Sequence, residues 1–235
     1  MNAVARALRW LRRRLFGRYA LVEPRAIAET APYTFFLPSE NELLALAPGD
    51  LVKVGIRSHP ASHDFEAERR WILLDAVDGD RLEGALDSDP LDMPQLRAGG
   101  RVRLRREHVL DILWAEPRAV APPAAPPRRT YWERCLVDRC VLVGDAAVHF
   151  VHREEPELWD GDDAHPDSGW RIRGDYRGLS DAEIDAREVD FVAIGAVLNR
   201  DDSWIGLIDA PIGSAWVRDW ATGRFVPDIE VPPAD

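Results

Sequence analysis

Four groups of residues in this chain have types that admit chemistry. His149 and His152 stand three apart, Cys135 and Cys140 five apart, and Asp160, Asp162 and Asp163 crowd one short stretch. Ser168 lies between an acid and a glycine in HPDSGWRIRGD, residues 165–175. Each group can be tested against the chemistry it would serve. On a strand, residues three apart point to opposite faces, so His149 and His152 cannot chelate one ion together. The cysteine pair lacks the second pair that a structural zinc site needs. Counted from Asp160, the sixth position is His165 where a calcium loop requires glycine, and the twelfth is Arg171 where it requires an acid. No metal and no cofactor are expected.

Nucleophilic catalysis fares little better. Ser168 is set as Asp-Ser-Gly, without the Gly-x-Ser-x-Gly elbow that exposes a nucleophile between strand and helix. A triad drawing on His149, His152 or His165 stays open, because such sites are defined by geometry and not by order. Neither a Walker pattern nor GxGxxG is present, and carboxylates are too frequent to single out a pair. The expectation is a protein that is not an enzyme, with a hydrolase using Ser168 or a histidine as the catalytic alternative. DSGWR has a structural reading: Asp167 closes an Asx-turn, Gly169 takes positive φ, and Trp170 and Ile172 face inward from a strand while Arg171 and Arg173 face out.

Other elements must hold these residues in place. Val4, Leu8, Leu11 and Leu15 recur at helical spacing, with Arg6, Arg9 and Arg13 opposite, so residues 1–20 read as a basic amphipathic helix. Ser39 with Glu42 is a capping box for a helix through Ala47. LVKVGIR, RRWILLDAV, RLEGAL and RVRLR read as strands, the second with a continuous apolar run that implies burial. Residues 115–130, AEPRAVAPPAAPPRRT, form an extended Pro/Ala-rich linker. Beyond it ERCLVD, CVLVG, AVHFVHR, VDFVAIGAVL, WIGLIDA and AWVRDW read as strands, and Ser180 with Glu183 caps a helix at 181–188. The organisation expected is α+β: small domains at 21–114 and 131–235, each a mainly antiparallel sheet with one or two helices, joined by the linker.

Charge is uneven. Residues 1–20 carry six Arg and no acid, whereas residues 131–235 carry ten Arg against 23 acidic residues. The acidic half repels nucleic acid and favours a basic partner. No secretory segment and no run of 18 apolar residues occur, so reduced thiols and a cytoplasmic location are expected. Membrane contact is open only to the N-terminal Arg-rich helix.

Several motifs in the C-terminal half occur together and in order: Gly144 with Val148, Arg153-Glu154-x-Pro156, Asp167-Ser168-Gly169-Trp170-Arg171 and Gly174-Asp175. Asn199 with Asp202 follow, then Asp209-Ala210-Pro211-Ile212-Gly213-Ser214-Ala215, and Arg218 with Gly223-x-Phe225. This half resembles the bacterial immunity-protein domain family numbered thirty-three. It departs from the family after Gly174, where DYRGLSDAEIDA is remodelled, and at a missing threonine ahead of Asn199. The first half resembles, through Gly49-Asp50, Glu68, Trp71, Gly84-x-Leu86, Pro90, Val102 and Asp111, a second uncharacterised bacterial domain family, with Gly100 where that family has Asp.

The resemblance implies a non-catalytic protein that neutralises a bacterial toxin by direct binding, its partner a basic toxin domain. A two-domain housekeeping binding protein without a toxin partner is the alternative. The candidate binding residues are Glu154, Asp167, Arg171, Arg173 and Asp209, with Trp159 as an aromatic anchor.

Overall fold

The computed structural model describes residues 3–61, 65–118, 120–157 and 165–228. The chain divides into two compact units, one of residues 1–30 and 35–128, the other of residues 31–34 and 129–235. Both combine a β-sheet with short helices, an α+β arrangement.

The first unit holds α1 (Ala3–Phe16), β1 (Arg18–Leu21), α2 (Arg25–Thr30), α3 (Glu40–Leu44), β2 (Leu51–His59), β3 (Glu68–Asp78), β4 (Arg81–Leu86), β5 (Arg101–Arg105) and β6 (Val109–Leu113). Its strands pair antiparallel in the order β1-β2-β3-β4-β5, and β6 returns to pair with β2. One 3-10 turn, Arg106–His108, joins β5 to β6, so the sheet must curl on itself to bring that strand back. Alternation in RVRLR buries Val102 and Leu104 beside Val52, Val54, Ile72, Leu74 and Leu82. The continuous burial expected for RRWILLDAV is overturned. Ile72 and Leu74 are buried while Leu73 is 40% exposed, because β3 covers the core with one face only. Ser39 and Glu42 form the expected capping box, but α3 ends at Leu44, short of Ala47. The Pro-rich segment is held at both ends within this unit. Arg118 donates to Ala45 O at 2.8 Å and pairs with the buried Asp50, and Arg128 donates to Leu37 O at 2.7 Å.

The second unit holds β7 (Arg134–Asp138), α4 (Arg139–Val143), β8 (Val148–Arg153), β9 (Asp167–Gly174), α5 (Asp181–Asp185), β10 (Val189–Ala193), α6 (Ile194–Leu198), β11 (Ala215–Asp219) and β12 (Arg224–Pro227). The sheet order is β10-β7-β9-β8-β11-β12; β7 and β9 run parallel and the other pairs antiparallel. Cys135, Val137, Val151, Trp170, Ile172, Ile194, Val197 and Trp204 form its core.

Three expected strands are corrected here. CVLVG is α4, ended by Gly144 at φ +84, with only Val141 of its apolar residues fully buried. VDFVAIGAVL is β10 followed by α6, whose Ile194, Val197 and Leu198 reach the core at i, i+3 and i+4. WIGLIDA is a 3-10 turn, Ile205–Leu207, anchored by the buried Trp204. Short apolar runs carry too few residues for either period to show.

Residues 31–34 are stitched into this unit. Tyr33 N donates to Asn199 Oδ1 at 2.9 Å, and Asn199 Nδ2 donates to Thr34 Oγ1 at 2.7 Å. The Tyr33 hydroxyl donates to Asp202 Oδ2 at 2.7 Å, which pushes the phenol pKa up to about 12.

Candidate functional site

Asp167 opens β9 with its side chain fully removed from solvent. It accepts from Gly169 N at 3.1 Å, closing the Asx-turn, and from Glu157 N at 2.9 Å. Arg171, four residues along the same strand, donates Nη1 and Nη2 to its two oxygens at 3.0 and 2.8 Å. Burial raises the Asp167 pKa, but Arg171 and the two backbone N–H groups outweigh it, so the carboxyl sits below its ordinary value. Arg171 turns its Nε to Glu154 on the neighbouring chain segment. Gly169 takes φ +81, and a Cβ there would lie 2.1 Å from Glu154 O. The turn therefore needs glycine both for its backbone angle and for the close approach of β8.

Ser168 is not presented as a nucleophile. Its hydroxyl donates to Arg134 O at 2.6 Å and accepts from Trp170 N at 3.2 Å, and the residue is buried. Trp170 stands edge-on to Trp204 with ring centroids 5.4 Å apart. The inward placement of Trp170 and Ile172 matches the sequence expectation. Arg171 does not face solvent as expected: it is buried with Asp167, because two carboxylates on adjacent segments satisfy its guanidinium.

A groove of about 580 Å³ opens beside β8, lined by Phe150, His152, Glu154, Glu155, Ile212, Ser214 and Asp228. Its floor is fixed by Arg153, which donates Nε to Ser168 O at 3.1 Å and Nη1 to Ala210 O at 2.8 Å. Backbone bonds Gly213 N to Arg153 O, 2.6 Å, and Arg153 N to Ser214 O, 2.9 Å, hold the Asp209–Ala215 loop against the strand. His152 Nε2 lies 3.7 Å from Glu154 Oε2; burial, together with Arg171 and Arg173, lowers the imidazole pKa more than Glu154 raises it.

The candidate residues thus fall into separate places. Glu154 is half-exposed on the groove rim. Asp167 and Arg171 lie beneath it and hold it in position. Arg173 is aimed away from the groove: its Nε is 3.3 Å from Asp138 and its Nη2 donates to Ile184 O at 3.1 Å. Asp209 is exposed and paired with Arg129 at 2.6 Å. Trp159, like Asp160, Asp162 and Asp163, lies outside the described residues. Among the described residues, no three His, Cys, Asp or Glu side chains gather as metal ligands, and no helix is long and apolar enough to cross a membrane.

Sequence reasoning missed two supports. Buried Asp138 accepts from Gly174 N and Arg187 Nη1, both at 3.0 Å, tying β7 to β9 and to the end of α5. Buried His149 stacks on Tyr176 with centroids 4.3 Å apart, and its Nδ1 lies 3.1 Å from both Trp220 Nε1 and Asp175 Oδ1. That nitrogen can accept from Trp220 or donate to Asp175, one at a time. A lone aspartate ending an apolar strand carries no spacing signal, so only the folded chain reveals its role.

The family model for the immunity protein Imm33 domain matches residues 135–228. No curated protein and no solved structure matches the chain. The Imm33 match begins within β7 and ends just past β12, so it spans all six strands of the second sheet. Residues 31–34, which bond Asn199 and Asp202 of the Imm33-matching region, lie outside it.

Proposed function

We propose that the second unit is an immunity-type binding module that neutralises a bacterial toxin by direct contact in the cytoplasm, without chemistry of its own. The observation that carries this reading is the Imm33 match over residues 135–228. Electrostatics supports it. Of the ten Arg in residues 131–235, Arg153, Arg171, Arg187 and Arg218 are turned inward onto carbonyls and carboxylates of the same unit. Arg171, Arg187 and Arg218 are matched by Asp167, Asp138 and Asp201, so the excess of 23 acidic residues over ten Arg remains, which speeds encounter with a basic toxin domain.

The proposed contact surface is the groove beside β8. Glu154, Glu155 and Asp228 give it an acidic rim, and Phe150 and Ile212 give it an apolar floor for the stem of an arginine or lysine. Asp167 and Arg171 act there as positioning residues for Glu154, and Asp209 lies on the loop that closes the groove.

Co-expression with each toxin domain found encoded in the genes neighbouring this chain's own tests the reading. Rescue of growth and co-elution of a stoichiometric complex are expected. Continued toxicity with the two chains eluting apart would overturn it.

A further inference from the structure

Helix α1 is docked the wrong way round for a soluble amphipathic helix. With 3.6 residues per turn, Leu8, Leu11 and Leu15 share one narrow sector and Arg13 lies close to the opposite side. A helix on a protein surface ordinarily turns its apolar stripe inward. Among the described side chains of α1, Arg13 is the inward one, 2% exposed, and grips Asp92 through Nη1 at 2.9 Å and Nη2 at 2.6 Å, with a further bond to Asp92 O at 2.8 Å. Leu8, Leu11, Leu15 and Phe16 face outward at 64%, 47%, 63% and 77% exposure. Arg12 and Arg14 flank them, both exposed, and the Arg14 guanidinium stands 5.3 Å from the Trp10 ring.

We propose that α1 is a surface anchor for an anionic lipid bilayer, the leucine face settling at the acyl boundary while Arg12 and Arg14 meet lipid phosphates. Two observations select that occupant. Residues 1–20 carry six Arg and no acid in a chain whose formal charge is −11, so this one segment is complementary to a negative surface. The apolar face and its cationic flanks also lie side by side, the layering of a headgroup region above acyl chains. The helix lies on the bilayer, since it is not long and apolar enough to cross one. The Arg13–Asp92 clamp transmits the attachment to the first unit.

Vesicle flotation of the full chain tests this, with phosphatidylcholine alone and with added phosphatidylglycerol. At low salt, at least about tenfold more protein floats with the anionic vesicles, and Leu11→Glu/Leu15→Glu abolishes the difference. Both leucines are exposed, so circular dichroism of that variant stays unchanged. Arg12→Glu/Arg14→Glu separately removes the dependence on phosphatidylglycerol. Equal flotation with both vesicles, no flotation, or retention of the leucine variant overturns the proposal. So does a concentration-dependent dimer in sedimentation that the leucine substitutions abolish, which would make the face a contact between copies of the chain.

Discussion

Arg171 and Asp167 are joined by two parallel hydrogen bonds of 3.0 and 2.8 Å, with both side chains withdrawn from solvent. A buried pair of this kind is weak support for stability as a whole, yet breaking it is costly because the survivor is left charged and dry. Asp167→Ala is therefore expected to cost about 3–5 kcal/mol in urea unfolding. Asp167→Ala/Arg171→Met should recover part of that loss, the remainder belonging to the Gly169 and Glu157 N–H groups that Asp167 also satisfies. A double variant as unstable as the single one would locate the cost elsewhere.

Glycine is needed at position 169 for two reasons and at 178 for one. A Cβ at Gly169 meets Glu154 O, whereas one at Gly178, φ +80, meets nothing within 4 Å. Gly178→Ala should cost about 1 kcal/mol, the penalty of a left-handed backbone alone. Gly169→Ala should cost well over twice that and displace Glu154. Equal losses in thermal unfolding would show that the contact with β8 relaxes freely.

Acid should unfold the second unit. Asp175 is held below its ordinary pKa by Arg177 first, and further by His149. Burial raises the pKa of Asp167 and Asp201, but Arg171 in one case and Ser203, two backbone N–H groups and Arg218 in the other leave both lowered. A carboxyl with a depressed folded-state pKa contributes stability at neutral pH that is lost as pH falls through that value, here below about 4. Melting temperature should be level from neutral to mildly acidic pH and fall below that point. A level profile continuing to pH ~3 would exclude a contribution from these ion pairs.

Asn199 closes two hydrogen bonds onto Tyr33 and Thr34. Asn199→Ala should cost about 1–3 kcal/mol and release that strand of chain. Hydrogen exchange at Tyr33 and Thr34 should accelerate while exchange in β8 and β9 stays slow. Unchanged protection at residues 31–34 would show that Tyr33 and Asp202 suffice.

If the acidic rim steers a partner, reversing its exposed members should change the rate of encounter more than the fold. Glu155→Arg/Asp228→Arg is expected to slow association with the toxin domain at least about tenfold at low salt. Folding stability should move by no more than about 0.5 kcal/mol. Undiminished association would place the contact elsewhere on the unit.

What the sequence made legible was local. The Asx-turn at Asp167, the positive φ of Gly169, the capping boxes at Ser39 and Ser180 and the alternation in RVRLR all depend on residues within a few positions of one another. The fate of Arg171 did not, because its second carboxylate, Glu154, is 17 positions away and arrives only when β8 pairs with β9. The same holds for Asp138, whose donors Gly174 and Arg187 lie 36 and 49 positions along the chain. The short helices α4 and α6 were hidden for a different reason: a five-residue, mostly apolar segment fits a strand as well as a helical turn.

The path of the backbone has a final consequence. It runs through the first unit to residue 30, visits the second at 31–34, goes back for 35–128 and finishes in the second. A single nick between residues 128 and 129 thus leaves the N-terminal fragment still owning a piece of the second unit, tied by Tyr33 and Thr34 to Asn199. The halves should migrate together on a native gel and part only in denaturant, and a shortened gene beginning at residue 129 would yield a module with a missing stitch.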